Sequence, residues 1–294
     1  MGMRYIYALG FFDGVHLGHQ ALLKSCRKLA EREGFLTGAI TFGTHPQLLT
    51  AGGAPRLINT PADRERLLGR WVEHVVTLPF DEHIRTMPWE DFLELLRKDH
   101  SAAGFVCGDD FRFGFRGLGN ADGLESWCRE RSVPFCRVPE QTLDGVRVSS
   151  THIRSLLEAG KLEEANRFLG HPHILSGPVV PGKQLGRRLG IPTANLRQPE
   201  GLAALCRGVY ACRCCMDGSC YAAVTNIGVR PTVSGEGVTI EPWLQGYTGD
   251  LYGKEITLEF IAFLRPEKKF GSLEELKAAV LEDAEKTNKI YADL

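Results

Sequence analysis

The chain has 294 residues with 43% hydrophobic and 24% charged residues, a composition typical of a globular protein long enough for two domains. Its formal net charge is −1, so the whole chain does not favour a nucleic acid or another polyanion as partner. No apolar run approaches the ~20 residues that span a bilayer. The N-terminus lacks the hydrophobic stretch of a signal peptide, so we expect a cytoplasmic protein without a membrane segment.

The first predicted elements are a strand, a glycine-rich turn and a helix. Tyr5–Leu9 is an apolar run typical of a buried strand, and apolar residues recur at helical spacing over residues 20–33. The turn between them, Gly10–His19, lets backbone amides approach a phosphate at the start of a helix. His16 and His19 are one helical turn apart and can face the same anion. The turn therefore predicts a phosphate site of the kind used in nucleotide chemistry.

The N-terminal half continues as an alternation of strands and helices. The further predicted strands are Leu36–Phe42, His74–Leu78, Phe105–Cys107 and Phe135–Val138. One helix is predicted from Pro61, with Thr60 as its cap, and another from near Trp89. This alternation favours a parallel, doubly wound sheet whose ligands lie at the carboxyl ends of the strands. The glycine-rich turn lies at that edge.

The pattern changes after residue 170, where we place the domain boundary, giving domains 1–170 and 171–294. His171–His173 is interpreted as a linker. The strands predicted beyond it are Val179–Val180, Gly208–Met216, Tyr221–Ile227, Val238–Trp243 and Glu255–Phe263, and a helix is predicted over Ser272–Tyr291. Several short strands with one terminal helix predict a small antiparallel β-barrel.

Four of the nine cysteines, Cys212, Cys214, Cys215 and Cys220, lie close together in this half. A zinc site would require a second pair of ligands at suitable spacing, and the sequence has no convincing one. We therefore interpret these cysteines as small strand residues, not as metal ligands or disulfide partners. A turn at Asp217-Gly218 is predicted to join the two strands that carry them.

The N-terminal half carries four ordered motifs. They are Gly10–His19, Thr41–Pro46, Gly108–Gly114 and Val148–Arg154. The corresponding family patterns are, in the same order, G-x-F-D-G-x-H-x-G-H, T-F-[DE]-x-H-P, G-x-D-F-R-F-G and I-S-S-T-x-I-R. This set resembles the FMN adenylyltransferase module of bacterial bifunctional riboflavin kinase/FAD synthetases. The resemblance implies a Rossmann-like nucleotidyltransferase domain with a parallel sheet, which transfers AMP from ATP to FMN and releases pyrophosphate.

Adenylyl transfer depends mainly on positioning the phosphates and stabilising the charge that develops on them. The resemblance implies that His16, His19 and Arg154 are the catalytic residues. It assigns nucleotide binding to Gly10, Phe12, Asp13, Gly14, Asp110, Arg112, Ser149, Ser150 and Thr151. Gly43 departs from the second motif, which usually has an acidic residue there. This departure motivates an alternative, a riboflavin kinase whose adenylyltransferase half is weakened or inactive.

The C-terminal half carries three further segments. They are Gly182–Leu196 (G-x-x-x-G-R-x-L-G-x-P-T-A-N), Thr225–Thr232 (N-I-G-x-R-P-T), and Asp250–Lys254 with Leu264–Glu267. These segments resemble the riboflavin kinase module of the same bifunctional proteins, which implies ATP-dependent phosphorylation of riboflavin to FMN. No Walker A sequence is present, so an ordinary P-loop is excluded.

Phosphoryl transfer to the ribityl hydroxyl needs a phosphate cradle, a divalent metal and a base. The oxygens of Thr193 and Asn195 suit Mg²⁺. Glu241 is the candidate base, placed after a strand, where Glu241-Pro242-Trp243 replaces the family's E-T-H. The resemblance assigns nucleotide binding to Gly182, Gly186, Arg187 and Gly190, and flavin binding to Asn226, Arg230, Tyr252 and Arg265.

The expected partners are therefore ATP, riboflavin and FMN, with Mg²⁺ as cofactor and without nucleic acid or membrane; a homo-oligomer is left open. A flavin-sensing protein without turnover is the alternative from another class. Such a protein would be expected to lose the base and the metal ligands, whereas Glu241, Thr193 and Asn195 are all present.

Overall fold

The structure is a computed structural model that describes residues 3–45, 55–182, 186, 190–232 and 235–293. The chain folds into two compact units, one formed by Met1–Arg56 and Pro61–Ser150, the other by Leu57–Thr60 and Thr151–Leu294. The functional boundary at residue 170 stays a prediction. Within the described residues, no helix combines the length and apolar character needed to cross a membrane.

The first unit is built on a parallel sheet. Its strands are β1 (Tyr5–Leu9), β2 (Leu36–Phe42), β3 (His74–Leu78), β4 (Ala102–Gly108) and β7 (Phe135–Val138), in the order β3-β2-β1-β4-β7. Two short hairpins pair β5 (Arg112–Phe113) with β6 (Gly119–Asn120), and β8 (Thr142–Leu143) with β9 (Val146–Arg147). The strand order reverses between β1 and β4, where ligands bind in doubly wound sheets. The predicted parallel sheet is confirmed.

Helices pack against this sheet. They are α1 (Leu17–Glu33), α2 (Pro61–Leu68), α3 (Glu82–Thr86), α4 (Trp89–Asp99) and α5 (Ala121–Glu130). Helix α1 ends at Gly34, whose φ of 71° is readily adopted by glycine. Helix α5 begins after Asn120, whose side chain accepts the Gly123 N–H at 2.8 Å. Residues 6–9 of β1 are buried on both faces, as expected for a central parallel strand.

The second unit is a nearly closed antiparallel barrel, as predicted. Its strands are β10 (His173–Pro178), β11 (Leu196–Arg197), β12 (Gly208–Met216), β13 (Ser219–Thr232), β14 (Gly235–Leu244) and β15 (Glu255–Pro266), in the order β10-β15-β12-β13-β14-β11. Its helices are α6 (Ser150–Glu158), whose first residue belongs to the first unit, α7 (Leu162–Leu169) and α8 (Leu273–Ala292). Ser272 caps α8 by accepting the Glu275 N–H at 3.1 Å.

The start of the barrel differs from the sequence prediction. The predicted linker ends inside β10, which begins at His173, and the predicted strand at Val179–Val180 lies just beyond its end. The reason is pairing with β15, which opposes His173 to Phe260 and continues to the end of β10. His173 is buried, so this histidine belongs to the barrel and not to a linker.

The prediction that the cysteines form no disulfide is wrong for one pair. Cys215 and Cys220 are bonded, with their Cα atoms 4.1 Å apart across β12 and β13. The predicted turn is the cause: Asp217 and Gly218 have φ of 47° and 78°, as in a tight two-residue hairpin, which places the two cysteines opposite each other. Cys212 and Cys214 are free and buried in β12.

Candidate active sites

The glycine-rich turn at the end of β1 has a strained backbone. Phe12 and Val15 have φ of 60° and 41°, values that are uncommon for non-glycine residues and costly for a β-branched one. Neighbouring side chains hold the turn: Gln20 Nε2 donates to the Val15 carbonyl at 3.0 Å, and Ser150 Oγ donates to the Asp13 carbonyl at 2.9 Å. Strain maintained in this way is frequent at functional sites.

The two predicted histidines meet at the start of α1. The rings of His16 and His19 are stacked, with centroids 3.6 Å apart. His16 caps the helix, since its Nδ1 accepts the His19 N–H at 3.4 Å. Burial, reinforced by His16 and Arg64, holds the pKa of His19 well below its usual value, so His19 is neutral at pH 7. A neutral imidazole still offers one N–H donor to a phosphate oxygen.

The other predicted residues of this site fall into two groups. Gly10, Phe12, Asp13 and Gly14 form the turn, and Ser150 contacts it. Asp110 and Arg112 are exposed beyond the carboxyl end of β4, next to β1 in the sheet, and Asp110 pairs with Arg147 at 2.7 Å. Ser149 directly precedes α6, and Thr151 and Arg154 lie on α6 in the second unit, where Arg154 Nη2 donates to Thr151 Oγ1 at 3.0 Å.

One charged residue near the turn was missed by the sequence reasoning. Arg64 on α2 is fully buried, its guanidinium lies 4.2 Å from the ring centroid of Phe11, and its Nη2 donates to the Phe42 carbonyl. Burial lowers the pKa of Arg64 to about 10, although the nearby Asp13 carboxylate opposes this shift. The signal was helical spacing, because Arg64 shares the buried face of α2 with Leu67 and Leu68.

The barrel contains a pocket of about 350 Å³. Five predicted residues line it, namely Gly186, Thr193, Asn226, Glu241 and Arg265. The other lining residues are Ile191, Val209, Val224, Trp243, Glu267, Lys268, Phe270, Leu276, Val280 and Asp283. Apolar walls with a few polar groups are typical of a small-molecule binding site.

Strand register brings two of the predicted residues together. Glu241 on β14 lies directly opposite Asn226 on β13, and both line the pocket. Residues opposite each other in an antiparallel pair project to the same face. The sequence reasoning placed Glu241 after a strand, but this residue lies inside β14. Its pairing with β13 explains why it faces the pocket.

The predicted metal ligands lie just before and at the edge of β11. Asn195 is buried, and its Oδ1 has no hydrogen-bond partner among the described residues. A Cβ at Gly182 would lie 2.2 Å from Asn195 Nδ2, so this glycine permits the close approach of the two segments. An unpartnered amide oxygen close in sequence to the Thr193 hydroxyl fits a hard divalent cation, which prefers oxygen ligands.

Arg265 is held by the terminal helix. Its Nε and Nη2 donate to Asp283 Oδ2 at 2.9 and 2.8 Å, and Asp283 is buried on α8. The sequence reasoning missed Asp283; the signal was an acidic residue on the buried face of α8, beside Ala284 and Thr287. This ion pair fixes the Arg265 guanidinium at the pocket wall.

Three predicted residues of this site lie elsewhere or are not described. Tyr252 is exposed and lines a separate pocket of about 60 Å³, which shares Thr193 with the larger one. Arg187 lies outside the described residues, and so does the side chain of Arg230. Gly190 has a φ of 75°, which favours glycine at this position.

Comparison with known proteins gives matches to both halves. The model of the riboflavin kinase family matches residues 169–291, and that of the FAD synthetase family matches residues 3–152. The chain is 33% identical to the bifunctional riboflavin kinase/FMN adenylyltransferase of Listeria monocytogenes, over 98% of this chain and 93% of that protein. The protein of the same description from Pseudomonas fluorescens is 35% identical, over 95% of this chain and 90% of that one.

The fold has a solved counterpart over nearly its whole length. A crystal structure described as a macrolide-efflux protein from Streptococcus pneumoniae matches with a TM-score of 0.86 and 29% identity. The match covers 98% of this chain and 95% of that one. The architecture of both units is therefore shared with an experimentally solved protein.

Proposed function

Because the chain belongs to the family of bifunctional riboflavin kinase/FMN adenylyltransferases, we propose a set of catalytic and binding residues for each of its two activities. The chain uses ATP to phosphorylate riboflavin to FMN. It then adenylylates FMN with a second ATP to give FAD and pyrophosphate. The domain boundary that separates the two activities is proposed at residue 170.

The kinase reaction is assigned to the barrel pocket, with Glu241 as the base that accepts the proton of the ribityl 5′-hydroxyl. The observation that carries this assignment is the pairing of Glu241 with Asn226 on one pocket wall. Asn226, Arg230, Tyr252 and Arg265 are proposed to bind the flavin, and Gly182, Gly186, Arg187 and Gly190 the nucleotide.

Enzymes of these two families use ATP with a divalent metal, and we propose Mg²⁺ in this chain, held in the kinase site by Thr193 and Asn195. The unpartnered, buried Oδ1 of Asn195 supports this choice. When bound, the metal neutralises charge on the transferred phosphate. We expect Asn195→Ala to raise the Mg²⁺ concentration needed for half-maximal FMN formation. The metal requirement of FAD formation should stay unchanged in that variant.

The adenylyl transfer is assigned to the turn after β1, with His16 and His19 as donors to the phosphates and Arg154 as a cationic ligand of the triphosphate. Nucleotide binding is proposed for the turn residues Gly10, Phe12, Asp13 and Gly14, for Asp110 and Arg112, and for Ser149, Ser150 and Thr151. The unpartnered Nδ1 of His19 supports this assignment, since it leaves a ring nitrogen unused by the described residues.

We propose ATP, riboflavin and FMN as the partners of the chain, without nucleic acid or membrane, and the cytoplasm as its location, with a homo-oligomer left open. In a reducing compartment the partly exposed Cys215–Cys220 pair is expected to be a dithiol.

The decisive experiment separates the two reactions. The purified chain is incubated with ATP and MgCl₂, in one reaction with riboflavin and in the other with FMN, and the flavins are separated by chromatography. We expect FMN followed by FAD in the first reaction and FAD in the second, and no newly formed FMN or FAD in the matched EDTA controls. If riboflavin gives FMN but FMN gives no FAD, the weakened adenylyltransferase suggested by Gly43 is the correct alternative.

A further inference from the structure

The most unusual charged group of the first unit is Arg64, a cation with no exposed surface. We propose that Arg64 is a positioning residue of the adenylyltransferase site. Its guanidinium balances the Asp13 carboxylate and supports Phe11, so that substrate phosphates meet a turn without net negative charge. This inference rests on the proposed role of His16 and His19.

The contacts of Arg64 join two segments that border the turn. Its guanidinium lies 4.2 Å from the ring centroid of Phe11, at the start of the turn. Its Nη2 donates to the carbonyl of Phe42, at the end of β2. Thr41 Oγ1 donates to the Phe11 carbonyl at 2.8 Å, which ties the same two segments by a second route. Because Arg64 is completely buried, it acts through these neighbours and not by touching substrate.

The electrostatic contribution follows from the charges around the turn. Asp13 is buried, and a lone buried carboxylate would repel the phosphates of ATP and FMN. The attraction of Asp13 opposes the burial-driven fall of the Arg64 pKa, so the two charges interact. His19 is neutral, and Glu65 lies on the exposed side of α2. The buried Asp63 carboxylate, next to Arg64 in sequence, lies 3.6 Å from the Arg66 guanidinium. Asp13 and Arg64 are thus two buried groups of opposite charge that attract each other inside the unit.

The absence of a side chain at Gly43 is consistent with this charge balance. It follows Phe42, whose carbonyl accepts a hydrogen bond from Arg64. In the family motif that spans Thr41–Pro46, this position is usually an acidic residue. A Cβ at this position would have no atom closer than 3.8 Å, so a side chain fits there. Two Arg64 nitrogens, Nε and Nη1, have no hydrogen-bond partner among the described residues. A carboxylate at residue 43, one residue beyond the carbonyl that binds Arg64, would add a second negative charge near Asp13 and Arg64.

The first test removes the positive charge of Arg64 and includes a measurement that reports on folding. Arg64→Gln is expected to lower kcat/KM for FAD formation by about 10- to 100-fold, mainly by raising KM for FMN and ATP, as expected when a site loses its positioning group. Arg64→Lys keeps the charge without the planar fork and should fall between wild type and Arg64→Gln. Arg32→Gln, at an exposed arginine on α1 of the same unit, is the matched control and should be unchanged. Riboflavin phosphorylation by the same preparations reports on folding.

The second test changes the charge balance without removing the arginine. Gly43→Asp should raise KM for FMN and ATP, whereas a missing catalytic carboxylate would predict higher turnover. The double variant with Asp13→Asn and Arg64→Gln should raise KM by less than the product of the two single-variant increases, because the neutral pair again leaves no net charge.

Wild-type kinetics in Arg64→Gln, or a higher kcat/KM in Gly43→Asp, would overturn the proposal. If Arg64→Gln fails to fold, Arg64→Lys and Gly43→Asp decide. Undiminished FAD formation by His19→Asn would instead reject the proposed site itself.

Discussion

The turn after β1 and the pocket of the barrel are proposed to bind ligands of the same kind, ATP phosphates and a flavin, but with different parts of the chain. The turn offers backbone groups held in a strained conformation and a buried pair of opposite charges, Asp13 and Arg64. The pocket offers side chains projected from regular strands, with Glu241 opposite Asn226. The first arrangement depends on segments distant in sequence, and the second depends on strand register.

This difference determines how a substitution affects each site. A change at the turn can alter the backbone that presents several groups, whereas a change in the pocket removes one side chain and leaves its strand intact. The two sites should therefore respond separately to substitution.

The largest expected effect is that of Glu241→Gln on the kinase reaction. Loss of the proposed base should lower kcat for FMN formation by about 10²- to 10⁴-fold, the usual contribution of general base catalysis. FAD formation from supplied FMN should be unchanged, since Glu241 belongs to the barrel pocket. Both rates are measured by chromatography of the flavins. Near-normal FMN formation would show that another group is the base, and loss of both activities would contradict the separation.

The second largest effect is expected for Asp283, the buried acid that holds the pocket residue Arg265. Asp283→Asn leaves the Arg265 guanidinium without its carboxylate, and breaking a buried ion pair in this way costs about 3–5 kcal/mol of unfolding free energy. We expect the lower end of that range, since Arg265 is partly exposed, together with a higher KM for riboflavin. The checks are thermal unfolding and kinase kinetics. Glu282→Gln, next to it on the exposed face of α8, is the control; equal behaviour of the two variants would reject the role of Asp283.

The two halves also differ in how much of their site could be predicted from sequence. Strands such as Leu36–Phe42 and Gly208–Met216 were predicted to the residue, because hydrophobic period and turn residues are local signals. His16 and His19 were found because they share one helical turn. Arg64 and Asp283 were missed because their importance comes from partners distant in the chain, Asp13 and Arg265, and a charged residue on a helix is otherwise expected to be solvent-exposed.

Acid should destabilise the barrel through a histidine outside its pocket. Burial lowers the pKa of His173 to about 3, with a smaller contribution from His171. The unfolded chain takes up a proton below pH 6.5 that the folded chain does not bind, so this stabilisation is complete above pH 6.5 and declines as the pH falls toward 3. The loss is about 2 kcal/mol between pH 6.5 and 4.5. His173→Phe keeps a ring against Phe260 and removes the titration.

The measurement is the free energy of unfolding of both proteins by denaturant at several pH values. The stability difference between wild type and His173→Phe should shift in favour of the variant as the pH falls, because the other titrating groups are common to both. A substitution of the exposed His83 is the control. Its stability should depend on pH in the same way as that of the wild-type protein. Parallel profiles for wild type and His173→Phe would contradict the assignment.

The smallest expected effect is that of the Cys215–Cys220 bond. Closing so short a loop adds at most about 2 kcal/mol by chain entropy, and less here, because the tight turn already holds the strands together. The bond also lies at the turn end of the β12–β13 hairpin. The pocket residues Val209 and Asn226 oppose each other at the other end, about 20 Å from the bond at the usual rise of a strand.

A Cys215→Ser, Cys220→Ser double variant should therefore unfold slightly earlier than the oxidised protein and keep its KM for riboflavin. The reduced wild type should behave like the variant. A change in riboflavin KM on oxidation would mean that strain at the turn is transmitted along both strands to the pocket, and the view that the pocket depends on local strand register would then be wrong.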